Sequence, residues 1–256
     1  MKIITYSDLH LEFGSNWLPP ENLDGDVIIL AGDIISFKNY TPLDRLLVTW
    51  NKPVVYVAGN HEYYTQKPMT EGENDFKLWL AAYHPNVVFL QDQATIIDGV
   101  NFFGGTMWTN FNNADPFAMG YAEAQMNDFR LIKRPDETTF KSADTLTLHD
   151  HFVSKLVQWF EQGLPGPHVV ISHHAPVINP NSQYKTSPLR HAFNSLDMVS
   201  VIEKYQPYLW VYGHTHECDD QMIGKTRVIS NQLGYPKRPT GFECTDFNEG
   251  GLVVEL

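Results

Sequence analysis

Residues 2–10, KIITYSDLH, decide how the chain is read. Lys2–Tyr6 is a β-branched and aromatic run of strand length that ends abruptly on Ser7-Asp8-Leu9-His10. The same pattern recurs down the chain. Asp26–Leu30 runs into Ala31-Gly32-Asp33, and Pro53–Val57 into Ala58-Gly59-Asn60-His61-Glu62. His168–Ile171 runs into Ser172-His173-His174, and Tyr208–Tyr212 into Gly213-His214-Thr215-His216. Short apolar runs bounded by Gly and polar turn residues predict strands. Runs that do not alternate predict strands buried on both faces.

Helical spacing fills the intervals. It predicts helices over Leu43–Trp50, Glu73–Tyr83, Ser142–Gln162 and Leu196–Tyr205. The third is the clearest: Leu146, His149, Phe152, Val153, Leu156, Val157 and Phe160 recur on one face, with Ser142 as a cap and Gly163 as a stop. Val87–Leu90, Ala94–Ile97 and Val100–Phe103 read as short strands, the last two joined by an Asp98-Gly99 hairpin turn. Thr226–Ser230 and Leu252–Leu256 read as closing strands. With no internal repeat and no linker, residues 1–256 read as one α/β domain. Gly104–Lys141 is too long for an ordinary connection and is expected to be a lid, a substrate wall or a packed surface excursion.

Bulk composition narrows the function. Hydrophobic residues make up 43% and charged residues 19% of the 256, which fits a globular chain. A formal net charge of −12 repels nucleic acid phosphates and argues against a dedicated DNA-binding module. It does not exclude a phosphate substrate, because bound divalent cations reverse the local sign. The N-terminus carries no signal-peptide pattern, and no stretch approaches the roughly 20 apolar residues of a membrane span, so a cytoplasmic protein is expected. Cys218 and Cys244 match no metal or redox spacing and read as two idle thiols.

The chemistry lies at the strand ends, because open α/β sheets bind ligands beyond the carboxyl ends of their strands. Five runs each end on a metal-binding residue type. Asp8 and His10 are two apart, which in extended backbone puts both side chains on one face, and His214 and His216 repeat the spacing. Asp33 can bridge two ions, one per carboxylate oxygen, and Asn60 offers a neutral carbonyl oxygen. The His173–His174 pair supplies one more imidazole. Imidazole with carboxylate suits Mn, Fe, Zn, Co or Ni. Two such ions roughly 3.5–4 Å apart serve in-line phosphoryl displacement. His84, His149, His151, His168 and His191 stand outside this pattern and read as structural.

Taken in order, Asp8-Leu9-His10, Gly32-Asp33, Gly59-Asn60-His61-Glu62, Ser172-His173-His174 and Gly213-His214-Thr215-His216 resemble the motif series of the calcineurin-like metallophosphoesterases. The opening Ser-Asp-Leu-His-Leu-Glu-Phe is similar to small bacterial and phage-type members. The resemblance implies a four-layer αββα sandwich of two mixed β-sheets flanked by helices, with a dimetal site at the strand C-terminal ends. It implies that Asp8, His10, Asp33 and His216 hold one divalent ion. Asp33, Asn60, His173 and His214 would hold the other, with His174 as the fallback for His173. His61 would be a general acid or charge stabiliser, and a metal-bound hydroxide the nucleophile. The Asp-Arg-Gly continuation of the Ser/Thr phosphatase branch is absent, since Asp33 is followed by Ile-Ile-Ser, and a protein phosphatase is not expected.

Specificity must come from elsewhere. The candidates are Trp108, Asn110, Asn112, Asp128 and Arg130 in the insert, and Tyr184, Lys185, Arg190 and His191 after the histidine pair. Trp108, Arg130, Tyr184 and Arg190 are the ones put forward, to stack on a base or grip a phosphate. The expected substrate is a small-molecule or nucleotide phosphodiester. Alternatives are a phosphomonoester, a nucleic acid strand, or no turnover at all in a metal-bound scaffold.

Overall fold

The computed structural model describes residues 1–14, 17–237 and 239–256. In chain order the elements are β1 Lys2–Tyr6, β2 Val27–Ala31, α1 Thr41–Leu47, β3 Val54–Val57, α2 Met69–Tyr83, β4 Val87–Leu90, β5 Gln93–Ile97 and β6 Val100–Gly105. Then come α3 Phe111–Ala114, α4 Pro116–Gln125, α5 Asp128–Leu131, α6 Ser142–Phe160 and β7 His168–Ser172. The chain closes with α7 Arg190–Phe193, α8 Met198–Tyr205, β8 Leu209–Val211, β9 Asp219–Ile223, β10 Thr226–Ser230 and β11 Leu252–Glu255. One sheet has the order β11-β1-β2-β3-β4, the other β5-β6-β7-β8-β10-β9. β1 to β4 are parallel and β11 antiparallel; β6, β7, β8 and β10 are parallel and their edge neighbours β5 and β9 antiparallel.

Alternate side chains of each strand face different layers. Ile3, Val27, Ile29, Val55 and Val57 of the first sheet pack on Phe102, Val169, Ile171, Leu209 and Val211 of the second. Ile4, Tyr6, Ile28, Leu30 and Tyr56 turn the other way, toward Leu43, Leu46 and Leu47 of α1 and Phe76 and Leu80 of α2. Phe103, Val170, Trp210 and Val228 meet Phe152, Leu156 and Trp159 of α6 and Met198 and Ile202 of α8. The result is four layers, helix on sheet on sheet on helix, and it explains why the central strands are apolar on both faces.

The local differences from the sequence reading have physical reasons. α1 starts at Thr41, because Pro42 is preorganised for a first turn, and it ends at Leu47. α2 starts at Met69, ahead of the apolar spacing, with Gly72 packed against Phe37. Ser142 does not cap α6; Lys141 is the cap residue and Asp144 reaches back to its N–H at 2.7 Å. β9, DDQMI, gives no strand signal in the sequence because it is a polar edge strand with no apolar run. The Asp98-Gly99 hairpin forms as expected, with φ of 47° and 79° and Ile97 paired to Val100. No helix among the described residues is long and apolar enough to cross a membrane.

Candidate metal centre

The loops following β1, β2, β3, β7 and β8 meet at one edge where the two sheets adjoin. Cross-sheet bonds fix their approach. His173 Nδ1 donates to the Ala31 carbonyl (3.0 Å), and the His214 N–H donates to the Asp8 carboxylate (3.0 Å). Two glycines make room: a Cβ on Gly59 would run into Asp33 Oδ1, and one on Gly213 would stand 2.5 Å from Asp8 Oδ2. Asp8, His10, Asp33 and His216 each turn one donor atom into a common space, all within 4.8 Å of one another. Asp33, His173 and His214 do the same in an adjoining group. Asn60 Oδ1 lies 3.1 Å from His173 Nε2 and joins the second group. It is His173 that enters this group. His174 turns away, donates Nδ1–H to the Thr106 carbonyl (3.1 Å) and is pushed down to about 3 by burial and by His173.

The route to this convergence differs from the extended backbone expected at Asp8/His10 and His214/His216. All four residues have positive φ, 51°, 45°, 72° and 50°, and Asp33 has 54°. Left-handed turns, and not a flat strand face, aim the side chains.

The surrounding bonds settle which atoms face inward. His10 Nδ1 donates to Glu12 (3.1 Å) and His216 Nδ1 to Glu243, so the two Nε2 atoms are left facing each other at 3.0 Å. Asn60 Nδ2 donates to Asp128 Oδ1 (2.8 Å) and to Tyr64 Oη (3.0 Å), which turns the amide oxygen inward. His173 Nε2 faces that oxygen and His214 Nδ1 at 3.1 Å each. Lone pairs crowded in this way repel unless a cation or proton lies between them. The protonation equilibria carry the same demand for positive charge. Burial opposes ionisation of Asp33, yet His173, His61 and His10 hold its carboxyl well below the usual range. Burial likewise opposes a charge on His173, but Asp33 at 3.4 Å raises it to about 10. The donor set, hard oxygens with borderline nitrogens oriented by outer carboxylates, fits a pair of divalent transition ions.

His61 sits beside this set. Its Nδ1 donates to Glu12 (2.9 Å) and its Nε2 contacts Tyr235 Oη (2.9 Å). Burial disfavours its charge, but Asp33 and Glu12 raise it to about 9. Glu62 braces the whole arrangement from beneath. Its Oε2 accepts from the N–H groups of Asp33 (2.9 Å) and Gly59 (2.8 Å), and its Oε1 from Ile34 N–H (2.9 Å) and Tyr56 O–H (2.6 Å).

Above the donors opens a cavity of about 220 Å³. Its walls include Gln125, Met126 and Asn127 from the insert, with Tyr184, Phe193, Tyr235 and Glu243. Of the four residues put forward for substrate, Tyr184 lines it. Trp108 does not: it is buried in the core between Tyr63, Phe140 and His174. Arg130 donates to the Ala124 carbonyl (2.5 Å) and Arg190 to the Lys185 carbonyl (2.6 Å), and neither reaches the cavity. Asp128 does reach the site, through Asn60. Sequence reasoning missed Glu12, Tyr64, Phe193, Tyr235 and Glu243. Glu12 had a signal, two residues after His10; Tyr235 and Glu243 had none, lying in a segment without periodicity.

The model of the calcineurin-like phosphoesterase family matches residues 1–218. The chain belongs to the calcineurin-like phosphoesterases. The protein L509 of Acanthamoeba polyphaga mimivirus is similar to it, 26% identical over 94% of each chain. Among solved structures, the phosphopantetheinyl hydrolase PptH of Mycobacterium tuberculosis superposes with a TM-score of 0.70 at 19% identity, covering 91% of this chain and 89% of that one. TT1561 of Thermus thermophilus superposes with a TM-score of 0.53 at 13% identity, over 90% and 88%. Both likenesses show the fold.

Proposed function

We propose that this calcineurin-like phosphoesterase hydrolyses small-molecule or nucleotide phosphodiesters with two divalent ions. The observation that carries the reading is the pair of donor groups joined at Asp33. Asp8, His10, Asp33 and His216 would hold one ion, and Asp33, Asn60, His173 and His214 the other. Bound there, such ions supply Lewis acidity, activating a water and neutralising phosphoryl oxygens. His61, held by Glu12, would donate a proton to the leaving oxygen, and Tyr235 fixes the direction of its Nε2.

The cavity lining favours a diester over a monoester. Among the described residues it contains no Lys or Arg to match a second phosphate charge. Met126, Tyr184, Phe193 and Tyr235 instead offer apolar and hydroxyl surface to a second ester substituent. The net charge of −12 supports a small substrate over a nucleic acid strand.

Turnover of bis-p-nitrophenyl phosphate and p-nitrophenyl phosphate, with Mn²⁺ added, tests the reading. The diester should be the faster substrate, and His61→Ala should reduce turnover while leaving the fold intact. Activity confined to the monoester overturns the diester preference. No turnover of any ester overturns the reading altogether. The panel should include nucleotide diesters and, since the mycobacterial neighbour is a phosphopantetheinyl hydrolase, a phosphopantetheinyl diester.

A further inference from the structure

The two cysteines, idle by their spacing in the sequence, stand side by side in the fold. We propose that Cys218 and Cys244 form a reversible disulfide that fastens the segment carrying Tyr235 and Glu243 to the loop carrying His216. The two free thiols are 26 residues apart in the chain, yet their Sγ atoms stand 3.1 Å apart. That is about 1 Å beyond the covalent S–S distance of about 2.05 Å, a gap that small backbone and side-chain shifts close. Both residues are half-buried, so a small oxidant reaches them.

Their position gives the bond a consequence. Cys218 lies two residues beyond His216, and Cys244 directly follows Glu243, whose carboxylate receives His216 Nδ1–H. The second segment is tied to the rest of the chain by single bonds and not by a strand ladder, among them Gly234 N–H to the Asp8 carbonyl (2.9 Å) and Tyr235 Oη with His61 Nε2 (2.9 Å). Among the described residues from 233 to 251 there is no strand or helix, only an isolated bridge between Pro236 and Phe242. Cys244 N–H donates to the Leu233 carbonyl (3.2 Å) and Glu243 N–H to the Tyr235 carbonyl (3.0 Å). Both of these bonds lie within the segment itself. A covalent link from Cys244 to the His216 loop would therefore limit the opening of the cavity wall that Tyr235 and Glu243 form.

The oxidant is a peroxide. One thiolate sulfur attacks a peroxide oxygen; the O–O bond breaks, an S–O bond forms, and water leaves once the departing oxygen is protonated. The second sulfur then displaces the hydroxyl from that sulfenic acid, forming the S–S bond as the S–O bond breaks, and its thiol proton leaves in a second water. In sum, two thiols and one hydrogen peroxide give one disulfide and two waters; the sulfurs lose the two electrons that the peroxide oxygens gain. A small-molecule dithiol reverses the step by exchange.

The inference does not depend on bound metal or on the ester hydrolysed, and its test reads neither. The purified chain is treated with equimolar hydrogen peroxide or with dithiothreitol, alkylated with N-ethylmaleimide and analysed by peptide mass spectrometry. The reduced protein should be alkylated at both cysteines. The oxidised one should be alkylated at neither and should yield a linked peptide pair lighter by two hydrogens. Amide hydrogen exchange across residues 235–244 should slow by about tenfold or more on oxidation and recover with dithiothreitol. Cys244→Ser should show no such slowing. Full alkylation after peroxide, an intermolecular link, or sulfinic acid in place of the disulfide overturns the proposal. So does a disulfide that leaves exchange in 235–244 unchanged, or equal slowing in Cys244→Ser.

Discussion

Glu62→Ala is the substitution that most directly tests how the candidate metal centre is held. Glu62 is fully buried, and four donors end on it within 2.6–2.9 Å: the N–H groups of Asp33, Ile34 and Gly59, and the Tyr56 hydroxyl. Asp33 and Ile34 follow β2, while Gly59 follows β3, so this one carboxylate ties two ligand loops together. Alanine leaves all four donors buried without an acceptor. Each such loss costs about 1–3 kcal/mol, and water entering the vacated space returns some of it, so the sum is about 4–8 kcal/mol. Against a total stability of about 5–15 kcal/mol, that is a large fraction. Glu62→Gln keeps one acceptor oxygen and should lose about half as much, because its NH₂ then opposes two donors. Urea unfolding followed by tryptophan fluorescence, with EDTA present to remove any metal contribution, measures both variants. A Glu62→Ala protein within about 1 kcal/mol of the parent would refute the reasoning, since the donors would then have other partners. A glutamine variant weaker than the alanine variant would refute the acceptor count.

Two further outcomes follow from acidic groups that are largely shielded from water. Burial, assisted by Glu73, raises Asp92 from 3.8 to about 7, and its Oδ1 has no partner. A raised folded pKa stabilises below the unfolded value and is lost as pH climbs through the folded one. The parent should therefore lose about 2–3 kcal/mol relative to Asp92→Asn between about pH 5 and about pH 8; parallel urea stabilities at the two pH values would contradict this. Asp128→Ala should weaken metal-dependent turnover about 10- to 100-fold by freeing the Asn60 amide to rotate, with Asp128→Asn much closer to the parent. An Mn²⁺ titration in which Asp128→Ala matches the parent would leave Tyr64 alone as the holder of that amide.

The sheet cores and the strand-end residues were legible because both follow from local constraints. A parallel strand covered on both faces must be apolar throughout, and the residue that leaves the strand is fixed within a position or two. Asp8, Asp33, Asn60 and the His173–His174 pair are therefore legible as strand-end residues, while which histidine of the pair turns inward is not. What was not legible depended on long-range packing. Trp108 has the composition of a stacking platform, but the insert turns it inward onto Phe140. Arg130 and Arg190 cap local carbonyls, a choice that no charge pattern discloses. Tyr235 and Glu243 come from a segment with neither period nor motif, and the nearness of Cys218 to Cys244 depends on how that segment returns. The spacing of two brings Asp8 and His10 into one donor group but divides His214 and His216 between the two groups, and left-handed turns take the place of the extended backbone that the spacing predicts.

That geometry bears on how single ligand substitutions should be interpreted. Asp8, His10, Asp33, His214 and His216 all occupy the left-handed region, at about 1–2 kcal/mol each, so the loops that carry the candidate ligands hold strain comparable to the net stability of a domain. It persists because the strained residues brace one another. Asp8 N–H donates to the Gly32 carbonyl and His10 N–H to that of Asp33. Asp33 Oδ1 accepts from His61 N–H, Asp8 from His214 N–H, and Gln232 Oε1 from His216 N–H. Each carboxylate here serves the backbone as well as any ion. Asp8→Ala would remove a charge and also release the His214 loop, so a loss of turnover from it could come from either cause. Asp8→Asn retains a carbonyl oxygen for the His214 N–H while removing the charge, and it is the variant that separates metal binding from the brace.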